Sequence, residues 1–249
     1  MILVLGGTSD SIEICKELNK HNNVDYVLSV TTEYGKEIAI KYTENIVLGK
    51  LSKEDMLDFI RENNINKIID ATHPYAVEVS KNAIECSNIS KVDYIRFERK
   101  SLIEDIDYEN KYIVSSIDEA CNIANEIGQN IFIGTGSKNL DQYINKMSNK
   151  NLVARVLPTS EVIQACESLG LNGDNIIAMK GPFSQSMNEE TYKQYSVDVV
   201  ITKESGVAGG FLEKIIACKS LNIPVIIIKR QLMNYPTVIN DTEKIIDMI

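Results

Sequence analysis

The sequence has neither an excess of basic residues nor an apolar run long enough to cross a membrane. Among its 249 residues, 26 lysines and arginines stand against 35 aspartates and glutamates, so the net charge is −9. General nucleic-acid binders and membrane-surface binders usually carry a basic excess, so this balance argues against both classes, but not against a local basic pocket. A membrane-spanning helix needs roughly 20 apolar residues in succession, and no stretch approaches that length. We therefore expect no nucleic-acid partner and no membrane association.

Cysteine is sparse, and its spacing does not fit a metal site. The chain has no C-x-x-C pair and no histidine at ligand spacing from a cysteine, and its five cysteines are Cys15, Cys86, Cys121, Cys166 and Cys218. Such isolated cysteines are typical of small buried side chains in a reduced chain. Met1 leads directly into an apolar stretch and a glycine turn, without the pattern of a signal peptide. The sequence thus predicts no metal ligands and a cytoplasmic location.

Short apolar strands alternate with helical patterns along the whole chain. In the first hundred residues, strands are predicted at 2–5, 26–30, 46–49, 67–69 and 92–97. After an acidic connection over 104–110, further strands are predicted at 112–114, 131–133, 152–156, 175–179, 198–202 and 224–228, with helices at 117–127, 137–147, 160–169, 185–195 and 209–220. This alternation is typical of parallel βαβ units. We predict an α/β chain with two doubly wound parallel sheets, a nucleotide-binding domain at 1–100 and a second domain at 101–249.

A glycine turn follows the first predicted strand. Gly6, Gly7, Thr8 and Ser9 stand between that strand and a helical pattern, where backbone amides and the positive end of the helix dipole face an anion. The third glycine of the G-x-G-x-x-G fingerprint is absent, so a plain capped turn is the alternative. Glu33 ends the second strand about 20 residues further on, where dinucleotide folds place the acidic residue that binds the ribose 2′-hydroxyl. Glu33 therefore favours NADH over NADPH; the alternative is that Glu33 is a solvated loop charge, which leaves NADPH possible.

The stretch Ile-Ile-Asp-Ala-Thr-His-Pro-Tyr-Ala ends the fourth predicted strand. Pro74 disfavours helix for His73, so His73 is expected in the turn before the helix that begins at Tyr75. Asp70 and Thr72 either cap that helix or belong to a ligand-binding edge. His73 could orient a cofactor or relay a proton, and the alternative is that it only satisfies a backbone carbonyl at the turn.

Basic residues follow the predicted strands of the second half. Lys138, Arg155, Lys180 and Lys203 each stand at or just after a strand end, beside glycine or hydroxyl residues. Because the carboxyl ends of parallel strands share one edge of a sheet, we expect these cations to converge. In a chain of net charge −9, such a cluster predicts an anionic ligand in a local pocket. The glycines after Lys203 either allow close approach of a ligand or form a flexible turn.

Taken in order, the motifs resemble those of the precorrin-6A reductases, including the cobalt-precorrin-6A reductases of the anaerobic pathway. The resemblance covers nearly the whole chain. It rests on Gly6-Gly7-Thr8, Asp70-Ala71-Thr72-His73-Pro74-Tyr75-Ala76, Arg96-Phe97-Glu98-Arg99, Gly134-Thr135-Gly136, Arg155-Val156-Leu157-Pro158, Lys180-Gly181-Pro182-Phe183 and Thr202-Lys203-Glu204-Ser205-Gly206. It implies two Rossmann-like domains with a cleft between them, and transfer of a hydride from NAD(P)H to a double bond of a corrin precursor.

Site residues follow from this resemblance together with the strand-end positions. Lys138, Arg155, Lys180 and either Arg96 or Arg99 are expected to bind the acetate and propionate groups of the substrate. The expected cofactor-binding residues are Gly6, Gly7, Thr8, Ser9, Glu33, Thr72, His73, Lys203, Ser205 and Gly206. No residue is identified as the proton donor; Lys180 and Lys203 are candidates if their pKa values are lowered, His73 is another, and water is the alternative.

Two other functions fit the glycine turn. One is a non-catalytic sensor that binds NAD(P), and the other is a reductase of another anionic substrate. A second anion site opposite the cofactor has no use in a sensor, so the basic cluster favours an enzyme. The sequence does not predict an oligomeric state.

Overall fold

The computed structural model describes residues 1–21, 23–205, 209–231 and 233–249. The chain forms two compact units, one made of Met1–Lys100 with Gln231–Ile249 and the other of Ser101–Arg230. Each unit contains a six-stranded sheet in which every neighbouring pair of strands is parallel. The predicted α/β class with two parallel sheets is confirmed.

The sheet of the first unit has the strand order β12-β5-β4-β1-β2-β3. Its strands are β1 (Ile2–Leu5), β2 (Tyr26–Val30), β3 (Ile46–Leu48), β4 (Lys67–Asp70), β5 (Asp93–Phe97) and β12 (Val238–Ile239). Its helices are α1 (Ser9–Leu18), α2 (Glu33–Ala39), α3 (Lys53–Glu62), α4 (Val77–Ser90) and a 3₁₀ helix over Glu243–Met248.

The sheet of the second unit has the strand order β6-β11-β10-β7-β8-β9. Its strands are β6 (Lys111–Val114), β7 (Asn130–Ile133), β8 (Asn151–Val156), β9 (Ile176–Ala178), β10 (Val199–Lys203) and β11 (Val225–Ile228). Its helices are α5 (Ile117–Ile127), α6 (Leu140–Lys146), α7 (Ser160–Ser168), α8 (Gln185–Gln194) and α9 (Phe211–Leu221).

Strand β1 shows why the sequences of these strands are continuous apolar runs. Val4 packs in a cluster with Ile14 of α1 on one face of the sheet. Its neighbour Leu3 packs with Met56 of α3 and Ile68 on the other face. Successive side chains of a strand point to opposite faces, so a sheet covered by helices on both sides needs apolar residues at every position.

The last residues of the chain belong to the first unit, whereas the sequence assigned 101–249 to the second domain. Strand β12 pairs with β5, so that Ile239 lies opposite Phe97. Ile245 of the 3₁₀ helix is fully buried in the same cluster as Ile14. A two-residue edge strand and one 3₁₀ helix have no hydrophobic period that a sequence pattern would reveal.

Several helix boundaries also differ from the prediction; α4, expected from Tyr75, begins at Val77. Glu33, expected in a turn, begins α2, because the Thr32 side chain caps the helix by accepting a hydrogen bond from the Gly35 amide. Helix α6 begins at Leu140 rather than 137, since Asn139 adopts a left-handed conformation with φ 63°. No helix in the described part of the chain is both long and apolar enough to cross a membrane.

Ile245→Ala tests where the C-terminal segment packs. We expect it to lower the free energy of unfolding of the first unit by about 2–5 kcal/mol, since it leaves a cavity in a closed core. Native-state hydrogen exchange should show faster exchange at Leu3 and Val4, with Val200 of the second unit unchanged. Val238→Ala, at a 53% exposed position of the same segment, is the matched control. Equal losses at Leu3 and Val200 would contradict the assignment.

Candidate functional site

The turn between β1 and α1 is fixed by a capping box and faces open space. Thr8 accepts a hydrogen bond from the Ser11 amide (3.1 Å) and donates one to the Ala71 carbonyl (2.7 Å), which ties the turn to the end of β4. A Cβ at Gly6 would lie 2.6 Å from Leu28, so only glycine fits against β2. Gly7 has φ 96°, and no heavy atom lies within 4 Å of where its Cβ would stand. This turn therefore has room for an anionic group at a helix N-terminus.

Glu33 lies at the same sheet edge as this turn. It is the exposed first residue of α2, and β2, which precedes it, pairs directly with β1. Ser9, the first residue of α1, is exposed as well. Both positions match those of a nucleotide-binding edge.

The Asp70 carboxylate is the centre of a buried hydrogen-bond network. It is fully buried at the end of β4 and accepts five hydrogen bonds. The donors are the Thr72 amide (3.0 Å) and hydroxyl (2.6 Å), Arg96 Nη1 (2.8 Å), the Ser80 hydroxyl (2.5 Å) and the Tyr94 hydroxyl (2.7 Å). Burial, followed by the charge of Asp70, raises the pKa of Tyr94. This network fixes the turn that carries Thr72, and the Thr72 hydroxyl is already engaged within it.

Arg96 does not stand where a substrate carboxylate would meet it. Only 1% of its surface is exposed, and it pairs with Asp70 at 2.8 Å and lies over the ring of Tyr235. Burial acts to lower the pKa of Arg96, but the charges of Asp70 and of three further acidic groups nearby together outweigh it, and the pKa is raised. The predicted substrate contact of Arg96 is therefore corrected: it is a structural partner of Asp70, and the alternation of β5 turns it into the protein.

Arg99, the alternative to Arg96, reaches the first turn of α1. Its guanidinium pairs with Asp10 at 2.6 Å, and both side chains are partly exposed. Burial raises the pKa of Asp10, although the charge of Arg99 opposes this. Arg99 thus contributes positive charge beside the glycine turn. The sequence had predicted Arg99 only as an alternative substrate contact.

His73 lies exposed in the turn before α4, as predicted from Pro74. Its Nδ1 accepts a hydrogen bond from the Tyr75 amide (3.3 Å), and its ring lies 5.4 Å from that of Tyr75. The sequence offered a backbone carbonyl as the local partner of His73, whereas the Nδ1 atom accepts from a backbone amide. The exposed ring is accessible at the edge that also carries the glycine turn.

In the second unit, Lys138 and Lys203 come close together. Lys203 ends β10, and Lys138 follows β7, its neighbour in the sheet. Burial lowers the pKa of Lys203, and the positive charge of Lys138 lowers it further. Lys180 is exposed after β9, the edge strand, and β8 separates β9 from β7. Two of the three lysines thus converge, and the third follows a strand further along the same sheet.

The segment after β10 is anchored at one end. Glu204 is buried and pairs with Arg230 (2.7 Å), whose hydrogen bonds lower the pKa of Glu204 against the opposing effect of burial. The next side chain, Ser205, has a buried hydroxyl without a hydrogen-bond partner in the described part of the chain. A Cβ at Gly209 would lie 2.7 Å from that hydroxyl, so only glycine allows this approach. Gly206, a predicted cofactor residue, lies outside the described residues.

Arg155 is buried under aromatic rings. Its guanidinium lies 3.8 Å from the ring centre of Phe183 and 5.0 Å from that of Phe132. Nη2 donates to Asn188 (2.8 Å), whereas the buried Nη1 has no partner among the described residues. Burial lowers the pKa of Arg155, and the charge of Tyr192 opposes this only in part.

Lys214 of α9 is a buried cation that was not predicted from the sequence. Its ammonium lies 3.4 Å from the Thr202 hydroxyl. Burial, with the nearby charge of Arg155, lowers its pKa to about 8. The helical spacing could have indicated its burial. Lys214 falls three residues after Phe211 and four before Cys218, on the buried stripe of the helix.

The buried Lys214 predicts a pH-dependent stability. The groups that act on it are Arg155 from β8, and Glu213 and Cys218 from α9. Its pKa is about 8 when folded and 10.5 ordinarily, so the unfolded chain binds more protons between these values and stability rises with pH. Wild type should gain roughly 3 kcal/mol over this range relative to Lys214→Met, at about 1.4 kcal/mol per pKa unit. Urea unfolding at both ends of the range measures this; parallel curves for the two proteins would contradict it.

Comparison with known proteins identifies the family. The family model described as "Precorrin-6x reductase CbiJ/CobK" matches residues 1–249. A cobalt-precorrin-6A reductase of Priestia megaterium is 39% identical over 249 residues, 99% of this chain and 96% of that protein. One of Salmonella typhimurium is 40% identical over 229 residues, 92% of this chain and 87% of that protein. A solved structure, "CobK precorrin-6A reductase", has the same fold, with a TM-score of 0.80 at 21% identity over 99% of this chain and 95% of that one. The chain belongs to the precorrin-6x reductase family, an oxidoreductase family of cobalamin biosynthesis.

Proposed function

We propose that this enzyme reduces the cobalt form of precorrin-6A with NADH. The relatives that are 39% and 40% identical are named for the cobalt-containing substrate, which favours it over the metal-free ring. The observation that carries the proposal is the cationic edge of the second unit, where Lys138 and Lys203 lie close together in a chain of net charge −9. A macrocycle with several carboxylate arms needs such donors. Family membership favours a reductase over a sensor.

The first unit fits a nicotinamide nucleotide. The open space at Gly7 and the helix N-terminus at Thr8 suit a pyrophosphate, which the amides of Gly7 and Ser9 would bind. The Gly6 amide already donates to the Ser29 carbonyl (2.8 Å), so Gly6 would contribute only the close approach of its backbone. Glu33 would bind the ribose hydroxyls, and His73 lies at the same edge. The bound nucleotide supplies the hydride that adds to one carbon of a ring double bond.

The second unit would bind the substrate and deliver the proton. Lys138 and Lys180 would bind carboxylates. Lys203 is the proposed donor of the proton to the carbon next to the one that takes the hydride, because its lowered pKa brings it closer to the working pH. Water is the alternative proton donor. The cytoplasmic location of the enzyme stays a prediction.

The activity has a direct test. With cobalt-precorrin-6A present, the enzyme should oxidise one NADH for each substrate molecule, measured by the loss of NADH absorbance, and the product should gain two hydrogens by mass spectrometry. Binding of the nucleotide without its oxidation would contradict the proposal.

Glu33→Ser tests the cofactor preference. Loss of the ribose contact should reduce the ratio of kcat/KM for NADH to that for NADPH by about tenfold, as expected for one hydrogen bond to a charged group. Glu37→Ser, at an exposed position of the same helix, is the control. An unchanged ratio in Glu33→Ser would remove this assignment.

A further inference from the structure

A buried glutamate directly follows the proposed proton donor. Glu204 is 3% exposed and comes one residue after Lys203, which ends β10. Lys203 lies opposite Ile228 of β11, and the Glu204 amide donates to the Ile228 carbonyl (2.9 Å). The backbone of Glu204 therefore continues the pairing of β10 with β11 by one hydrogen bond beyond the donor.

The carboxylate of Glu204 binds Arg230 through both of its oxygens. Oε1 lies 2.8 Å from Nε and 2.7 Å from Nη2 of Arg230, and Oε2 accepts from the Arg230 amide (3.1 Å). The Arg230 side chain is only 11% exposed, so salt and water screen this pair little. Several charge-assisted hydrogen bonds to one carboxylate hold it in a single orientation.

The same carboxylate interacts with both ends of the chain segment that forms the second unit. Ser101 is the first residue of that unit and Arg230 is the last. Burial acts to raise the pKa of Glu204, but hydrogen bonds from the side chains of Arg230 and Ser101 lower it on balance. Ser101 is itself held, since its hydroxyl accepts from the amide of Ile103, a core residue of the unit (3.3 Å). One ionised carboxylate thus ties the end of β10 to two distant parts of the chain.

We propose that Glu204 is a positioning residue, which fixes the end of β10 so that Lys203 is held in one orientation for proton transfer. The Lys203 ammonium gives one proton to the ring carbon next to the one that takes the hydride, and water then restores that proton. A misplacement of about 1 Å in a reacting group can cost about 100-fold in rate. This inference rests on the proposed function, in which Lys203 is the donor.

Glu204→Gln tests the role, because it preserves the shape of the side chain and removes its charge. With cobalt-precorrin-6A and NADH, kcat should fall at least about tenfold, while the Kd values for both ligands stay close to those of the wild type. The solvent deuterium isotope effect on kcat should rise, since delivery of the proton becomes the slow step. Glu190→Gln, at an exposed ion pair of α8 with the same 2.7 Å separation, is the matched control.

A double-mutant cycle separates positioning from general damage to the fold. Lys203→Met alone should lower kcat at least as much as Glu204→Gln, and adding Glu204→Gln to it should lower kcat no further. Arg230→Lys keeps the charge and the amide contact, so it should lower kcat less than Glu204→Gln does. If Glu204→Gln does not fold, Arg230→Lys takes its place in the cycle.

Four results would overturn the positioning role. They are additive losses in the double mutant, an unchanged solvent isotope effect, wild-type kcat in both Glu204→Gln and Arg230→Lys, and full activity of Lys203→Met. In each of these cases reduction of cobalt-precorrin-6A by the wild type would still stand. Absence of that reduction is the separate failure of the proposed function.

Discussion

Parallel pairing of β10 with β7, and of β7 with β8, is the constraint on which the candidate substrate site depends. It aligns the carboxyl ends of three neighbouring strands, so that Lys203, Lys138 and Arg155 reach one sheet edge from distant parts of the chain. The same constraint acts in the first unit, where β1 pairs with β4 and the Thr8 hydroxyl binds the Ala71 carbonyl. Sheet topology, rather than any single motif, assembles both edges.

Each unit buries an arginine, but the partners and the pKa shifts of the two arginines are opposite. Arg96 pairs with Asp70, and its pKa is raised. Among the described residues, Arg155 has only an amide and aromatic rings as partners, and its pKa is lowered. Removing one partner of a buried ion pair typically costs about 3–5 kcal/mol, so Arg96 contributes to stability. An uncompensated cation lowers stability instead, and groups of that kind cluster at functional sites.

Much of the fold and part of the site were predictable from the sequence. Continuous apolar runs such as Ile2–Leu5 indicated strands covered on both faces, and the ordered motifs indicated the family that the comparisons identify. The burial of Arg96 was not predictable, because its direction depends on the register of β5 against β4. Lys214 was missed since a lysine within a helix usually lies in solvent. The place of β12 depends on tertiary packing rather than on a local pattern.

The central claim is that the first unit binds the nucleotide while the cationic edge of the second binds the carboxylated macrocycle. NMR shift mapping with each ligand added separately tests it most directly. The account predicts that NADH shifts the amides of Gly7 and Thr8, and that the free-acid cobalt corrin shifts the side-chain signals of Lys138 and Lys203. Corrin-induced shifts confined to the first unit, with Lys138 and Lys203 unmoved, would contradict it.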